Sequence, residues 1–115
     1  MDAAYQVHSR LGPGLLESIY EDCLAYELQS RGLPVQRQVT MPVVYRDIQL
    51  EGGYRMDLLV SGAVIVEVKA VETVQPVHRA QLLTYLKLSR HSLGYLINFN
   101  VPIIKSGIQR LKLGF

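Results

Sequence analysis

The chain has 115 residues, of which 49% are hydrophobic and 19% charged, and its formal net charge is +2. This length predicts a single domain, residues 1–115, and the composition excludes a disordered chain. No apolar run is long enough for a membrane span, so we expect no membrane partner. The small positive charge neither requires nor excludes nucleic acid, which leaves such contacts to a local basic surface.

The single cysteine, Cys23, excludes an internal disulfide framework and fits a reducing compartment. The N-terminal stretch MDAAYQVHSR has no apolar region of the kind that a signal peptide requires. We therefore expect a cytoplasmic protein.

The first third of the chain predicts two helices. Residues 2–10 form the first, and Leu11-Gly12-Pro13-Gly14 ends it. Residues 15–30 form the second, in which apolar residues recur at three- and four-residue spacing and predict one buried face. These residues are Leu16, Ile19, Tyr20, Cys23, Leu24 and Leu28.

From Gln36 onward the apolar residues alternate, which is typical of β-strands. Strands are predicted over residues 39–45, 54–60 and 64–70. Pro42 favours an edge strand or a bulge, and Glu51-Gly52-Gly53 favours a loop or a bulge.

The last third of the chain predicts a helix and two further strands. Pro76 opens the helix, which extends to Arg90, and the nearly all-apolar segment 93–99 predicts an interior strand. Residues 108–113 form a weaker fifth strand. This order, with a meander before a crossover helix, predicts an α/β fold with a mixed central sheet flanked by helices.

Two carboxylates and one ammonium lie among the apolar residues of these strands, namely Asp57, Glu67 and Lys69. Burying a charge is costly unless the charge is paired or binds a metal. Glu67 and Lys69 are two residues apart on one strand, so their side chains share a face. An aspartate followed ten residues later by Glu-Val-Lys is the pattern that a metal-dependent phosphodiesterase site needs.

The length of the intervening turn decides whether the two carboxylates meet. A two-residue loop pairs Asp57 with Val66 and turns Glu67 to the opposite face, whereas a three-residue loop, Ser61-Gly62-Ala63, pairs Asp57 with Glu67 at about 5 Å. Both registers are open from the sequence. The simplest structural alternative to a catalytic site is an ion pair between Lys69 and one carboxylate.

In the second register a divalent cation reverses the repulsion between the carboxylates. Oxygen ligands suit Mg²⁺ or, alternatively, Mn²⁺, and the backbone carbonyl of Val68 is a candidate third oxygen. Lys69 is then placed to hold an attacking water and to offset charge on the phosphate in the transition state.

Five sequence blocks resemble a known family. Gly14-Leu-Leu-Glu17-Ser-Ile-Tyr20 matches the GxxExxY motif, and VHSRLGPGLLESIYEDCL, YRMDLLV, VIVEVKAVE, HRAQLLTYLKL and LGYLINFNV follow in order over nearly the whole chain. The chain therefore resembles the GxxExxY proteins, a branch of the PD-(D/E)XK nuclease superfamily. This resemblance implies a restriction-endonuclease-like αβββαβ core.

The resemblance also implies roles for individual residues. Asp57 matches the metal-binding aspartate, Glu67-Val68-Lys69 matches the (D/E)xK element, and Glu17 matches an acidic residue that reaches the metal directly or through water. Gln81 and Tyr85 resemble the QxxxY element on the helix that faces the site. Met56 departs from the pattern, because the superfamily name has proline before the aspartate.

Three hypotheses follow. The first is a nuclease that hydrolyses DNA or RNA phosphodiester bonds with Mg²⁺-activated water, in which His78 and Arg79 contact phosphate at a helix N-terminus. The second is a catalytically silent module of the same fold that binds nucleic acid or has a regulatory role. The third is a subunit whose substrate surface forms only in a homo-oligomer. Further candidate phosphate contacts are dispersed in sequence, and surface charges that only aid solubility are the simpler reading: Arg37, Arg55, Arg90, Lys105, Arg110 and Lys112. Seven tyrosines offer rings for stacking, but most are at positions that suit half-buried packing, so they predict no substrate: Tyr5, Tyr20, Tyr26, Tyr45, Tyr54, Tyr85 and Tyr95.

Overall fold

The computed structural model describes residues 2–114, which form three α-helices, five β-strands and a short 3₁₀ helix. The helices are α1 (Asp2–Leu11), α2 (Glu17–Ser30) and α3 (Pro76–Ser89), and the 3₁₀ helix spans Ile104–Gly107. The strands are β1 (Val35–Tyr45), β2 (Ile48–Val60), β3 (Val64–Lys69), β4 (Leu93–Asn98) and β5 (Ile108–Lys112). None of the described helices combines the length and the apolar character that crossing a membrane demands.

The strands form one sheet in the order β1-β2-β3-β4-β5. The first three strands make an antiparallel meander, and α3 then crosses over so that β4 lies parallel to β3. Strand β5 returns antiparallel to β4. The predicted α/β class, with a mixed sheet flanked by helices and a restriction-endonuclease-like αβββαβ core, is confirmed, and β4 is an interior strand as predicted.

The sheet separates two hydrophobic cores. The first, the α1/α2 core, joins those helices to one face of the sheet through residues that include Val7, Tyr20, Leu24, Leu58, Val66, Val68, Ile97 and Phe99. The second, the α3 core, covers the other face and includes Tyr54, Met56, Leu59, Ile65, Leu82, Leu86, Leu96 and Leu111. Because alternate residues of a strand face opposite sides, the buried strands β3 and β4 contribute to both cores.

The N-terminal end of α2 differs from the prediction. The helix begins at Glu17 instead of residue 15, and Leu16 and Ile19 are 73% and 40% exposed. The buried face begins at Tyr20 and includes the carboxylate of Glu21. The apolar spacing therefore placed the start of the buried face too early, because Leu16 precedes the helix and Ile19 in its first turn is exposed.

A bulge interrupts the hairpin of β1 and β2. The register shifts between Met41 and Val43, so that Pro42 on β1 faces the segment Glu51–Gly53 of β2. A Cβ atom on Gly53 would lie 2.3 Å from the side chain of Val43, so only glycine fits this close approach. Both local predictions are confirmed, since β1 is an edge strand and residues 51–53 form a bulge.

The side chain of Asn98 fixes the chain where it leaves β3. Its Nδ2 donates to the Val71 carbonyl (2.9 Å), and its Oδ1 accepts from the backbone N–H groups of Val71 (3.1 Å) and Asn100 (3.2 Å). Asn98 is buried and pairs with Lys69 across the parallel strands. These bonds hold the segment that follows Lys69 and so restrict where that lysine can lie.

Candidate active site

The turn between β2 and β3 decides where the two carboxylates lie. Val60 pairs with Val64, so the loop consists of the three residues Ser61–Ala63. Its first two positions have positive φ values of 55° and 64°, which a tight hairpin turn requires. This is the register in which Asp57 lies opposite Glu67, and the two-residue alternative is wrong.

Asp57 and Glu67 are joined by reciprocal hydrogen bonds to the backbone. The pairing of β2 with β3 ends at Leu58 and Val66, one residue before the carboxylates. Beyond that point, the Asp57 N–H donates to Oε2 of Glu67 (2.7 Å), and the Val68 N–H donates to Oδ2 of Asp57 (2.9 Å). The carboxylates therefore bridge the two strands at the position where the strands separate.

Drawing the two carboxylates away from water raises the pKa values of both groups. Glu67 is 4% exposed, and its burial, together with the charge of Asp57, raises the pKa of Glu67 to about 8. Burial also raises the pKa of Asp57, although the hydrogen bond from the Val68 N–H opposes the rise. Two partly desolvated like charges on facing strand positions favour the uptake of a proton or of a cation.

Lys69 lies at the end of β3, on the same face as Glu67. Its charge opposes the rise that burial causes in the pKa values of Glu17, Asp57 and Glu67. Among residues 2–114, no ion pair within 4.0 Å joins Lys69 to a carboxylate. The structure thus shows no ion pair of the kind that the structural alternative requires. Lys69 lies near the carboxylates without pairing directly with either of them.

The GxxExxY segment explains how Glu17 reaches this region. The hydroxyl of Tyr20 donates to the Gly12 carbonyl (2.6 Å) and accepts from the Leu15 N–H (3.1 Å), which holds the loop before α2. The ring of Tyr20 stacks on Phe99 with centroids 4.7 Å apart. The buried tyrosine therefore fixes the glutamate that precedes it by three residues.

Glu17 lies beside the carboxylate pair without joining it. Partial burial raises the pKa of Glu17, and the charge of Asp57 adds to the rise while Lys69 and His78 oppose it. In the part of the chain that the structure describes, no three His, Cys, Asp or Glu side chains are grouped closely enough to hold a metal ion. In this structure Glu17 therefore does not form a three-residue cluster with Asp57 and Glu67.

Helix α3 brings one of its two predicted residues to the carboxylates. Tyr85 is half-buried, and burial together with the charges of Glu67 and Asp57 raises the pKa of Tyr85. Its ring lies 4.8 Å from that of Tyr54. Gln81, one turn earlier, is exposed, and the described hydrogen bonds include none from it to either carboxylate.

The two predicted phosphate contacts at the start of α3 have other partners in this structure. His78 accepts a hydrogen bond from the Gln75 N–H at Nδ1 (3.0 Å) as part of a capping box. Arg79 donates to Oε1 of Gln109 on β5 (3.2 Å). His78 is close enough to influence the pKa of Glu17, whereas the arginine side chain is directed toward β5.

Comparison with known proteins agrees with this geometry. The family model of the PD-(D/E)XK nuclease superfamily matches residues 1–111, nearly the whole chain. The chain belongs to the PD-(D/E)XK nuclease superfamily. Neither the curated proteins nor the solved structures gave a significant match. Membership in this superfamily suggests nuclease activity.

Sequence reasoning missed Glu21, a second carboxylate of α2, whose charge helps to raise the pKa values of Glu17, Asp57 and Glu67. Glu21 is 8% exposed, and it accepts hydrogen bonds from Arg37 (3.0 Å) and from Nε2 of Gln38 (2.7 Å). Arg37 also pairs with Asp22, so this arginine is occupied within the protein. The available signal was the four-residue spacing of Glu17 and Glu21, which places both on one helical face.

Gln38 marks a change of face in the β1–β2 ribbon. Val35 and Val39 would share one face of a regular strand, yet Val35 packs on the α1/α2 core and Val39 on the α3 core. Gln38 lies between them, opposite Asp57, with a positive φ of 51°. Its side chain bonds Glu21 and, through a further hydrogen bond, opposes the burial-driven rise in the pKa of Asp57. No sequence pattern predicts this left-handed residue.

The raised pKa of Glu67 predicts a pH-dependent stability. Between its ordinary value of 4.5 and about 8, the folded protein holds a proton on this carboxyl that the unfolded chain has released. The metal-free protein therefore loses stability as pH rises through this window. Glu67→Gln should flatten the dependence, so that its stability relative to the wild type, measured by urea denaturation, is greater at pH 8.5 than at pH 5. Glu72→Gln, at an exposed position, is the control and should keep the wild-type slope. Identical slopes for both variants would contradict the assignment.

Because the backbone of Gln38 is left-handed, we expect glycine to be tolerated better than alanine at this position, the reverse of the usual order within a strand. Alanine at positive φ is strained by about 1–2 kcal/mol, whereas glycine is not. Gln38→Gly should therefore unfold at higher urea than Gln38→Ala, although both lack the amide that bonds Glu21. At Gln36, two residues earlier with ordinary φ, the alanine variant should be the more stable. The same order of stability for the glycine and alanine variants at both positions would contradict the left-handed conformation of Gln38.

Proposed function

We propose that the chain is a metal-dependent nuclease that hydrolyses DNA or RNA phosphodiester bonds. One observation carries the proposal. The carboxylates of Asp57 and Glu67 are held together at the position where β2 and β3 separate, with Lys69 beside them. We also propose the finer assignment to the GxxExxY branch, because the hydroxyl of Tyr20 holds the loop that positions Glu17.

The donor set fits a small divalent cation. Each carboxylate has two oxygens, and one of each accepts a backbone N–H, so both groups keep capacity for a further partner. Asp57 and Glu67 would hold Mg²⁺ or Mn²⁺, with the Val68 carbonyl as a candidate third oxygen and Glu17 reaching it through water. A bound ion would lower the pKa of a water molecule and polarise the phosphate.

The side chains around the carboxylates would do the remaining work. Lys69 would hold the attacking water and offset the charge that develops on the phosphate oxygens. Tyr85, which lies close to both carboxylates, would orient the lysine or the scissile phosphate, and Gln81 on the same helix would assist from its exposed position. The N-terminal residues of α3, His78 and Arg79, would contact flanking phosphate after release from their present partners.

Cleavage assays with matched variants test this function. The protein is incubated with Mg²⁺ or Mn²⁺ and with single- and double-stranded DNA and RNA, beside Glu67→Gln and Lys69→Ala. Each substitution should reduce the cleavage rate by at least about 100-fold, the effect expected when one group that stabilises the transition state is removed. Glu72→Gln and Lys87→Ala, at exposed positions, should cleave like the wild type.

Cleavage that survives both site substitutions would contradict the proposal, because it would come from another site or from a contaminating nuclease. Nucleic acid binding without metal-dependent cleavage of any substrate would favour the catalytically silent module instead.

A further inference from the structure

A second candidate binding site lies on the opposite side of the molecule from α3. A shallow pocket of about 360 Å³, wide open to solvent, lies between α1, β4, the 3₁₀ helix and β5. It is lined by Tyr5, Tyr95, Lys105, Ile108 and Arg110. The two tyrosines and the two cations are dispersed in the sequence, and the fold brings them together.

The topology fixes the floor of this pocket. Tyr95 on β4 pairs directly with Arg110 on β5, so their positions follow from the antiparallel register. Ile108 supplies the apolar part of the lining, and Lys105 lies on the 3₁₀ helix that leads into β5. A Cβ atom on Gly107 would lie 2.1 Å from the carbonyl of Asn98, so the 3₁₀ helix packs closely on the end of β4.

Helix α1 supplies the wall of the pocket. Nε2 of His8 lies 2.7 Å from the carbonyl of Val101, and this contact holds α1 against the segment before the 3₁₀ helix. Tyr5, one turn earlier on α1, is 43% exposed and borders the opening. The pocket is therefore formed by packed elements and does not depend on a loop closing over it.

The lining has the chemistry of a site for an anion that also carries a flat ring. It contains two cations and no carboxylate. Among the residues that the structure describes, the ion pairs involve neither Lys105 nor Arg110. Aromatic side chains beside a positively charged groove are the combination by which proteins bind single-stranded nucleic acid, with bases stacked on rings and phosphates on cations.

We propose that this pocket binds one nucleotide of a single-stranded nucleic acid, with its phosphate between Lys105 and Arg110 and its base against Tyr5 or Tyr95. The choice of ligand rests on the proposed nuclease function. Within a duplex the bases stay stacked on one another, so the tyrosine rings favour a single strand. Tyr95 on β4 pairs with Val66 on β3, and the side chain of Val66 packs on the α1/α2 core. Glu67 is the next residue of β3, so its side chain points to the other face of the sheet. The pocket therefore lies on the face opposite Glu67. It is a second substrate-binding site, separate from the carboxylate pair.

Fluorescence anisotropy without divalent metal tests the pocket independently of cleavage. The probes are 5′-labelled 12-mers of oligothymidylate and of oligouridylate, in EDTA, so the DNA and RNA arms are compared directly. The double variant Lys105→Ala/Arg110→Ala should weaken binding at least about tenfold. The slope of the logarithm of the binding constant against the logarithm of salt concentration should also become less steep, by about 0.7 for each phosphate that the variant no longer neutralises. Tyr5→Ala should weaken binding at least about fivefold.

The matched control removes the same charge elsewhere. Lys87→Ala/Arg31→Ala lowers the net charge by the same amount at exposed positions on other elements, and it should bind like the wild type. Equal weakening by both double variants would overturn the proposal, because binding would then depend on overall charge. Thymidine or uridine monophosphate should compete with the probe better than inorganic phosphate does, and equal competition would overturn the role of the base.

The two proposals fail separately. If the pocket binds the probes but the protein cleaves no nucleic acid, the proposed nuclease function is contradicted and the binding site stands. If the wild type cleaves nucleic acid but the pocket variants bind the probes as the wild type does, the proposed binding site is contradicted and the nuclease function stands.

Discussion

The repulsion between the buried carboxylate of Glu67 and the half-buried carboxylate of Asp57 is the constraint around which the rest of this structure is arranged. Asp57 and Glu67 are drawn out of water and held together, which raises the pKa of Glu67 to about 8. Backbone N–H groups hold both side chains, and Lys69 lies close without pairing directly. A fold does not maintain such a pair for stability alone, because apolar residues would fill the same space at lower cost. The arrangement is explained if a cation completes it.

The surrounding elements keep the pair in place from three directions. The Tyr20 hydroxyl fixes the loop that delivers Glu17, and Asn98 fixes the chain after Lys69. From the edge of the sheet, Gln38 adopts a left-handed conformation and bonds the buried Glu21. A non-glycine residue at positive φ is strained, and such strain is found where the surrounding structure needs a particular side-chain position.

Most of the fold was predictable, because apolar periodicity and turn residues specify helices, strands and their order. The site was predictable only up to a choice of register, since one residue in the turn at Ser61–Ala63 decides whether Asp57 faces Glu67. Family resemblance supplied Glu17 and Tyr85. The position of Gln38 and the burial of Glu21 were not predictable, because they depend on how the β1–β2 ribbon twists between two cores. The pocket at Arg110 depends on packing between distant segments.

The most direct test of the central claim is crystallographic. Crystals of the protein grown with millimolar Mn²⁺ above pH 8, where the pair is least protonated, are measured at the manganese absorption edge. If Asp57 and Glu67 hold a divalent cation, an anomalous difference peak is expected at these two carboxylates. A map with no peak at this pair, or with manganese bound only at other carboxylates, would contradict the central claim.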